Sequence, residues 1–344
     1  MNNVLTIYNL NTQRASIGPQ ATLFSDIVQD LRHNPKRAAR FCDLYDGGYE
    51  PKGTLQQLDG AVVLDTFGIQ AIIQSNCFGS PDVRSVGEGG DEKDTLRPAG
   101  MWIQASYMNN SCDANAYRAF IGDLMIVHAS RDIAKDEEIY ISYTFQDADY
   151  KKMQEHYWAG WRFQCDCKIC AAESKSSTES RNRRQMLVQE VSVLLTANQQ
   201  TASLRASKAA ITKVEQLYAK INATYDDKLF TKNVPRLGLY VLSAWLCQAH
   251  RGRAKSPKLI ACGMTTLKDL AFSVNVKGDS VTFDRSTGMV SSIAIAAAVW
   301  VANAHFSMGQ KTLAKQFHDF ARGMYVILFG ELRGFVEQYG ESAR

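Results

Sequence analysis

Three cysteines, Cys165, Cys167 and Cys170, stand at C-x-C-x-x-C spacing in the stretch FQCDCKIC. Thiolates are good zinc ligands, and cysteines this close together can wrap one ion as the backbone turns between them. A closed tetrahedral site needs a fourth ligand. Cys42, Cys77, Cys112, Cys247, Cys262 and His156 are the candidates. Cys247 and Cys262 fall in apolar helical patterns and read as packed small hydrophobes. Spacing alone leaves the choice open among the rest. No basic segment followed by an apolar run opens the chain. The eight cysteines are therefore expected in a reducing compartment, nucleus or cytoplasm, bound to metal or packed in cores.

The 344 residues are too many for one compact core and point to two or three domains. With 45% apolar and 22% charged residues, each has material for its own core. The net charge of +4 is too small to argue by itself for direct nucleic-acid binding. The longest apolar run, Ile293 to Ala304, falls well short of the ~20 residues that span a bilayer. It reads as a buried helix, and no membrane partner is expected.

Apolar residues at Leu23, Phe24, Ile27, Val28 and Leu31 follow the i, i+3, i+4 rule of a helix that should stop near Asn34-Pro35. Asp65 is placed to cap a second helix through Phe67, Ile69, Ile72 and Ile73 to about Asn76. Residues 79–100, rich in Gly, Pro and charge, read as an exposed loop. Its GEGG lacks the flanking strand and helix of a phosphate-binding loop. Strands are expected at Trp102 to Ser106, on either side of a hairpin turn at Gly122-Asp123, and over Glu138 to Tyr143. After Cys170 the polar stretch AAESKSSTESRNRR reads as a linker over 173–185, with Arg181, Arg183 and Arg184 on a solvated face. Everything beyond reads as helix: Ser203 to Tyr218, Leu237 to His250, Pro257 to Phe272, Ser291 to Ser307 and Lys311 to Phe329. The last two form a pair around Met308-Gly309, with small Ala302, Ala314 and Ala321 where the helices approach.

The stretch SYMNNSCDAN, residues 106–115, resembles the SET-domain signature Asn-His-Ser-Cys-x-Pro-Asn. Downstream, KDEEIYISY resembles the Glu-Glu element of that family and ends on Tyr143, and the three cysteines then resemble its post-SET motif. The order and separation of the three motifs is similar to that in SET-and-MYND and fungal SET protein lysine methyltransferases. The resemblance implies an α+β fold. Residues 1–60 would be a partly helical remainder, 61–160 a β-rich SET domain with a helical insert, and 161–172 a post-SET zinc segment. Residues 186–344 would form an all-α domain of tetratricopeptide-like helices. No Gly-x-Gly loop precedes residue 60, so the amino-terminal part of the SET domain is expected to be missing.

The resemblance also implies roles. Cys112 would join Cys165, Cys167 and Cys170 on one structural Zn2+. Tyr143 would be the catalytic tyrosine and, with Asn76, Asn109, Asn110 and Phe163, would bind S-adenosylmethionine. Asn110 stands where the family usually has His, Ala114 where it has Pro, and Asp136 where it has Gly. The substrate would be a lysine in a protein or peptide, with protein partners on the carboxy-terminal helices. The alternative is a degenerate SET protein that serves as an interaction module without transferring methyl groups.

Overall fold

The computed structural model describes residues 6–9, 14–50, 56–58, 61–79, 99–144, 146–200, 207–251, 257–284 and 286–340. The chain gathers into two compact units. One comprises Met1–Asn109 and His156–Gln164, the other Asn110–Glu155 and Cys165–Arg344.

The first unit opens with an antiparallel pair, β1 (Thr6–Asn9) and β2 (Arg14–Ile17), in register Thr6 to Ile17. Helix α1 (Pro19–His33) has proline at its first position, where the missing N–H costs nothing. It ends where expected, because Pro35 bars Asn34 from the helical region and starts α2 (Pro35–Cys42) in its place. A short pair, β3 (Gln56–Leu58) and β4 (Ala61–Val63), precedes α3 (Thr66–Asn76). Asp65 caps α3 as the sequence implies, its Oδ1 accepting from the amides of Phe67 at 3.0 Å and Gly68 at 3.1 Å. Leu31, Phe41, Ile69, Ile72 and Ile73 from these helices, with Leu44 just beyond α2, form one buried core.

Strand β5 (Phe78–Gly79) pairs with β6 (Ala99–Gly100). The intervening residues 80–98, with the GEGG stretch, lie outside the described residues. The strand expected over Trp102 to Ser106 is absent: the chain turns there and makes a 3-10 turn at Ala105–Tyr107. The Ser106 amide and hydroxyl both donate to the Trp102 carbonyl, at 3.0 and 3.2 Å, and close the backbone locally.

The two-residue strand β7 (Asn109–Asn110) passes into the second unit. There β8 (Ala116–Ile121) and β9 (Leu124–Ala129) form the expected hairpin, with Gly122 at φ 57° in the turn. The strand read over Glu138 to Tyr143 shrinks to β10 (Tyr140–Ile141). Just before it, Asp136 takes φ 66°, a left-handed position that Asp tolerates better than most residues. Helix α4 (Tyr150–Trp161) begins in the second unit and its last residues belong to the first. Within the first unit, the Trp161 indole donates to the Ser75 carbonyl at 2.8 Å.

The stretch expected as a linker is occupied by the end of α5 (Lys168–Lys175) and the start of α6 (Thr178–Gln200). Arg184, expected on a solvated face, is 2% exposed. It pairs with buried Glu173, donates to Thr224 and stacks 3.7 Å from the centroid of Tyr225. The polar composition concealed this contact because its partners come from residues 173 and 224–225.

The rest is a helical region: α7 (Lys208–Asn222), α8 (Tyr240–His250), α9 (Pro257–Asp269), α10 (Ser292–Ser307), α11 (Lys311–Phe329) and α12 (Arg333–Tyr339). Ser291 caps α10, and Gly309 turns the chain into α11 at φ 81°. Ala302, Ala314 and Ala321 are buried, as the close-approach reading requires. Gly263 in α9 is also required, because a Cβ there would meet Val301 Cγ2 at 2.4 Å. One departure is a hairpin of β11 (Val274–Lys277) and β12 (Ser280–Phe283) inside this region. The whole is an α+β region with a helical insert and a four-cysteine cluster, followed by a helical carboxy-terminal region.

Candidate functional site

The sulfurs of Cys112, Cys165, Cys167 and Cys170 all lie within 4.8 Å of one another in the second unit. Cys112 follows β7, Cys165 and Cys167 lie on the turn into α5, and Cys170 is in the first turn of that helix. Cys112 Sγ is 3.8 Å from Cys165 Sγ and 3.7 Å from Cys170 Sγ. A disulfide would bring the sulfurs to ~2.05 Å. A tetrahedron with metal–sulfur bonds of ~2.3 Å has edges of about 3.8 Å, so the arrangement fits a zinc ion and not a disulfide.

Hydrogen bonds, that of Cys112 first, hold the Cys167 and Cys165 thiols below their ordinary value. The thiol of Cys112 is pushed up, first by Cys165, and that of Cys170 is pushed up, first by Cys112. Four clustered thiols ionise together only around a cation. Cys42, Cys77, Cys247, Cys262 and His156 stand outside the cluster.

Neighbouring groups fix the ligands. Gln154 clamps the Cys165 backbone from both sides, its Oε1 accepting from the amide at 2.9 Å and its Nε2 donating to the carbonyl at 3.0 Å. Lys168 pairs with largely buried Asp113 at 2.7 Å, joining the segment after Cys112 to the start of α5. Gln154 and Lys168 gave no signal in the sequence, because neither position has a motif of its own.

The segment around Cys112 is tied to Tyr143 as well. Asn110 Nδ2 donates to Cys165 Sγ at 3.7 Å, and Asn110 Oδ1 accepts from the Tyr143 amide at 3.0 Å. The Ser111 amide donates to Ile141 O at 3.0 Å. Asn115, fully buried, donates through Nδ2 to Glu138 O at 2.8 Å and accepts from the Tyr140 amide at 2.8 Å. Arg118 donates to Ser142 O at 2.5 Å. These bonds explain why β10 is short: side chains satisfy backbone groups that a longer ladder would have paired. Tyr143 is half-buried, and burial raises its phenol pKa, with the Glu138 charge adding to the effect.

The remaining expected residues lie in the first unit. Asn76 is buried at the end of α3 and donates through Nδ2 to Tyr45 O at 2.7 Å and Ile72 O at 2.8 Å. Asn109 is exposed at the start of β7. Phe163 stacks on fully buried Tyr157, with ring centroids 5.2 Å apart and an interplanar angle of 26°.

Residues 33–144 match the family model of the SET domain. A methyltransferase of Gibberella zeae is 33% identical over 201 residues, 55% of this chain and 27% of that protein. The potential protein lysine methyltransferase SET6 of Saccharomyces cerevisiae is 34% identical over 90 residues, 25% of this chain and 24% of that protein. Histone-lysine N-methyltransferase SET5 of Eremothecium gossypii is 27% identical over 114 residues, 32% of this chain and 23% of that protein. The chain spans about a quarter of the length of these relatives. It carries a SET-domain region related to fungal SET methyltransferases.

Proposed function

We propose that the protein is an S-adenosylmethionine-dependent protein lysine N-methyltransferase with a structural zinc. One observation carries this reading: residues 110–115 bond both to the segment ending in Tyr143 and to the cysteines at 165–170. The three stretches that resemble the motifs of such enzymes are thus joined through named atoms. The relatives' names, which include protein lysine and histone-lysine methyltransferases, support the same reading.

S-adenosylmethionine, when bound, would supply a methyl group carried on a sulfonium. Tyr143 would orient the lysine nitrogen through its hydroxyl. Its raised pKa keeps the phenol protonated at neutral pH, so it acts by hydrogen bonding and not as a base. Orientation of the reactants supplies much of the rate. Both amide protons of Asn76 are engaged by carbonyls, so it would present Oδ1 as an acceptor, suited to the ammonium end of the cofactor. Phe163, backed by Tyr157, offers a flat surface for the adenine. Asn109 and Asn110 complete the set. With four thiolates the zinc has no open position, and its role is to hold Cys112 against the start of α5. The carboxy-terminal helices would serve protein partners in a tetratricopeptide-like manner, in nucleus or cytoplasm.

Transfer of a labelled methyl group from S-adenosylmethionine to a lysine-containing protein, with calorimetric titration of the cofactor, tests the reading. Tyr143→Phe is expected to lower transfer at least 100-fold and leave zinc content at one per chain. Zinc-loaded protein that binds no S-adenosylmethionine would instead mark the chain as an interaction module.

A further inference from the structure

We infer that Asn110 is a positioning residue that transmits the state of the metal cluster to Tyr143. Its amide has one end that donates and one that accepts. Nδ2 faces Cys165 Sγ at 3.7 Å, and Oδ1 faces the Tyr143 amide at 3.0 Å. The reverse orientation would set oxygen against sulfur and NH2 against N–H, so both partners select the same one. The ends of this strut are themselves held. Gln154 clamps the Cys165 backbone, and the neighbouring Ser111 amide is bonded to Ile141 O.

A metal-bound cysteine is a thiolate, and an N–H bond to it is charge-assisted and stronger than one to a thiol. Loading the cluster therefore tightens the Nδ2 end and fixes the plane of the amide. A fixed plane gives the Tyr143 N–H a stationary acceptor. Loss of the metal frees the Cys165 side chain that anchors the Nδ2 end, and the Tyr143 backbone loses that constraint. Bonds from ligand atoms to surrounding groups tune a metal site. Here the same bond also reaches the segment carrying the tyrosine. The importance of this link for catalysis rests on the methyltransferase reading; the link itself does not.

Hydrogen exchange at single amides, followed by NMR on the full chain, tests the strut. In zinc-loaded protein the Tyr143 amide should exchange at least tenfold faster in Asn110→Ala than in the wild type. The Tyr140 amide, held by Asn115 Oδ1, should be unchanged, which a general loss of structure would not allow. Asn110→Asp keeps the acceptor but sets a carboxylate against the thiolate. It should retain Tyr143 protection while releasing zinc to a competing chelator at least tenfold faster. In peptide methylation, Asn110→Ala should lower kcat and leave the peptide KM within twofold. Equal Tyr143 exchange in wild type and Asn110→Ala, or unchanged zinc release from Asn110→Asp, would overturn the inference. Exchange coupling without any methyl transfer would leave the strut standing and remove the proposed function. Transfer with uncoupled exchange would do the reverse.

Discussion

The segment from Asn110 to Tyr143, with its cysteine cluster, and the α10–α11 pair are stabilised in opposite ways. The pair rests on apolar contact: Ala294, Ala297, Ala298 and Val301 of α10 and Phe317, Ala321 and Met324 of α11 belong to one buried core. Around the β8–β9 hairpin, the cluster segment has only the two-residue strands β7 and β10 and is held by side chains reaching distant backbone, with Asn110, Asn115 and Arg118 as the connectors. Apolar packing spreads its free energy over many small contacts. Polar links concentrate it, so single substitutions should weigh more in the cluster segment.

The largest effect should come from the cluster. Cys170→Ser is expected to abolish stoichiometric zinc binding, measured by metal analysis, and to eliminate calorimetric binding of S-adenosylmethionine. Retained zinc at one per chain would break the contrast. Next is Arg184→Met, which leaves Glu173 buried without its partner. A loss of about 3–5 kcal/mol in denaturant unfolding is expected, and the double variant with Glu173→Leu should recover most of it. Recovery would show that this polar contact, in the helical region, obeys the rule of the cluster.

Asp269 gives a smaller effect that depends on pH. Burial raises its pKa to about 6 despite hydrogen bonds from Ser243 and Tyr218 and the charges of Arg236 and Lys268. The folded protein thus binds a proton more tightly than the unfolded chain does. Stability from this group is full below pH 4 and is lost as the pH rises toward 6, by up to about 3 kcal/mol. Asp269→Asn should flatten the stability profile between pH 4 and 6. Smallest is Asp65→Ala, which removes a helix cap and should cost about 1 kcal/mol by thermal unfolding.

The same contrast sets what the sequence made legible. Helices α3, α10 and α11 could be read nearly to the residue because their signals are local: Asp65, Ser291, Gly309 and the apolar spacing between. The β11–β12 hairpin was hidden although Val274, Val276, Val281 and Phe283 alternate around Gly278, because its surroundings are helical. The strand read over Trp102 to Ser106 failed because a serine side chain competes for the backbone at short range, which apolar pattern does not register. At the site, C-x-C-x-x-C spacing announced a metal but left its fourth ligand open, and the family resemblance singled out Cys112. The two bonds of Asn110 were not legible, since they depend on atoms 33 and 55 positions away.

The first unit is discontinuous in sequence: 46 residues of the second, Asn110–Glu155, separate its two parts. On the ribosome, its early helices must wait until Trp161 has emerged before the Ser75 carbonyl meets its donor. A chain released between those two points would hold every residue of the core around Leu31 and Ile69 and still lack its closing segment. The order of synthesis makes the return of α4 the step that completes the first unit.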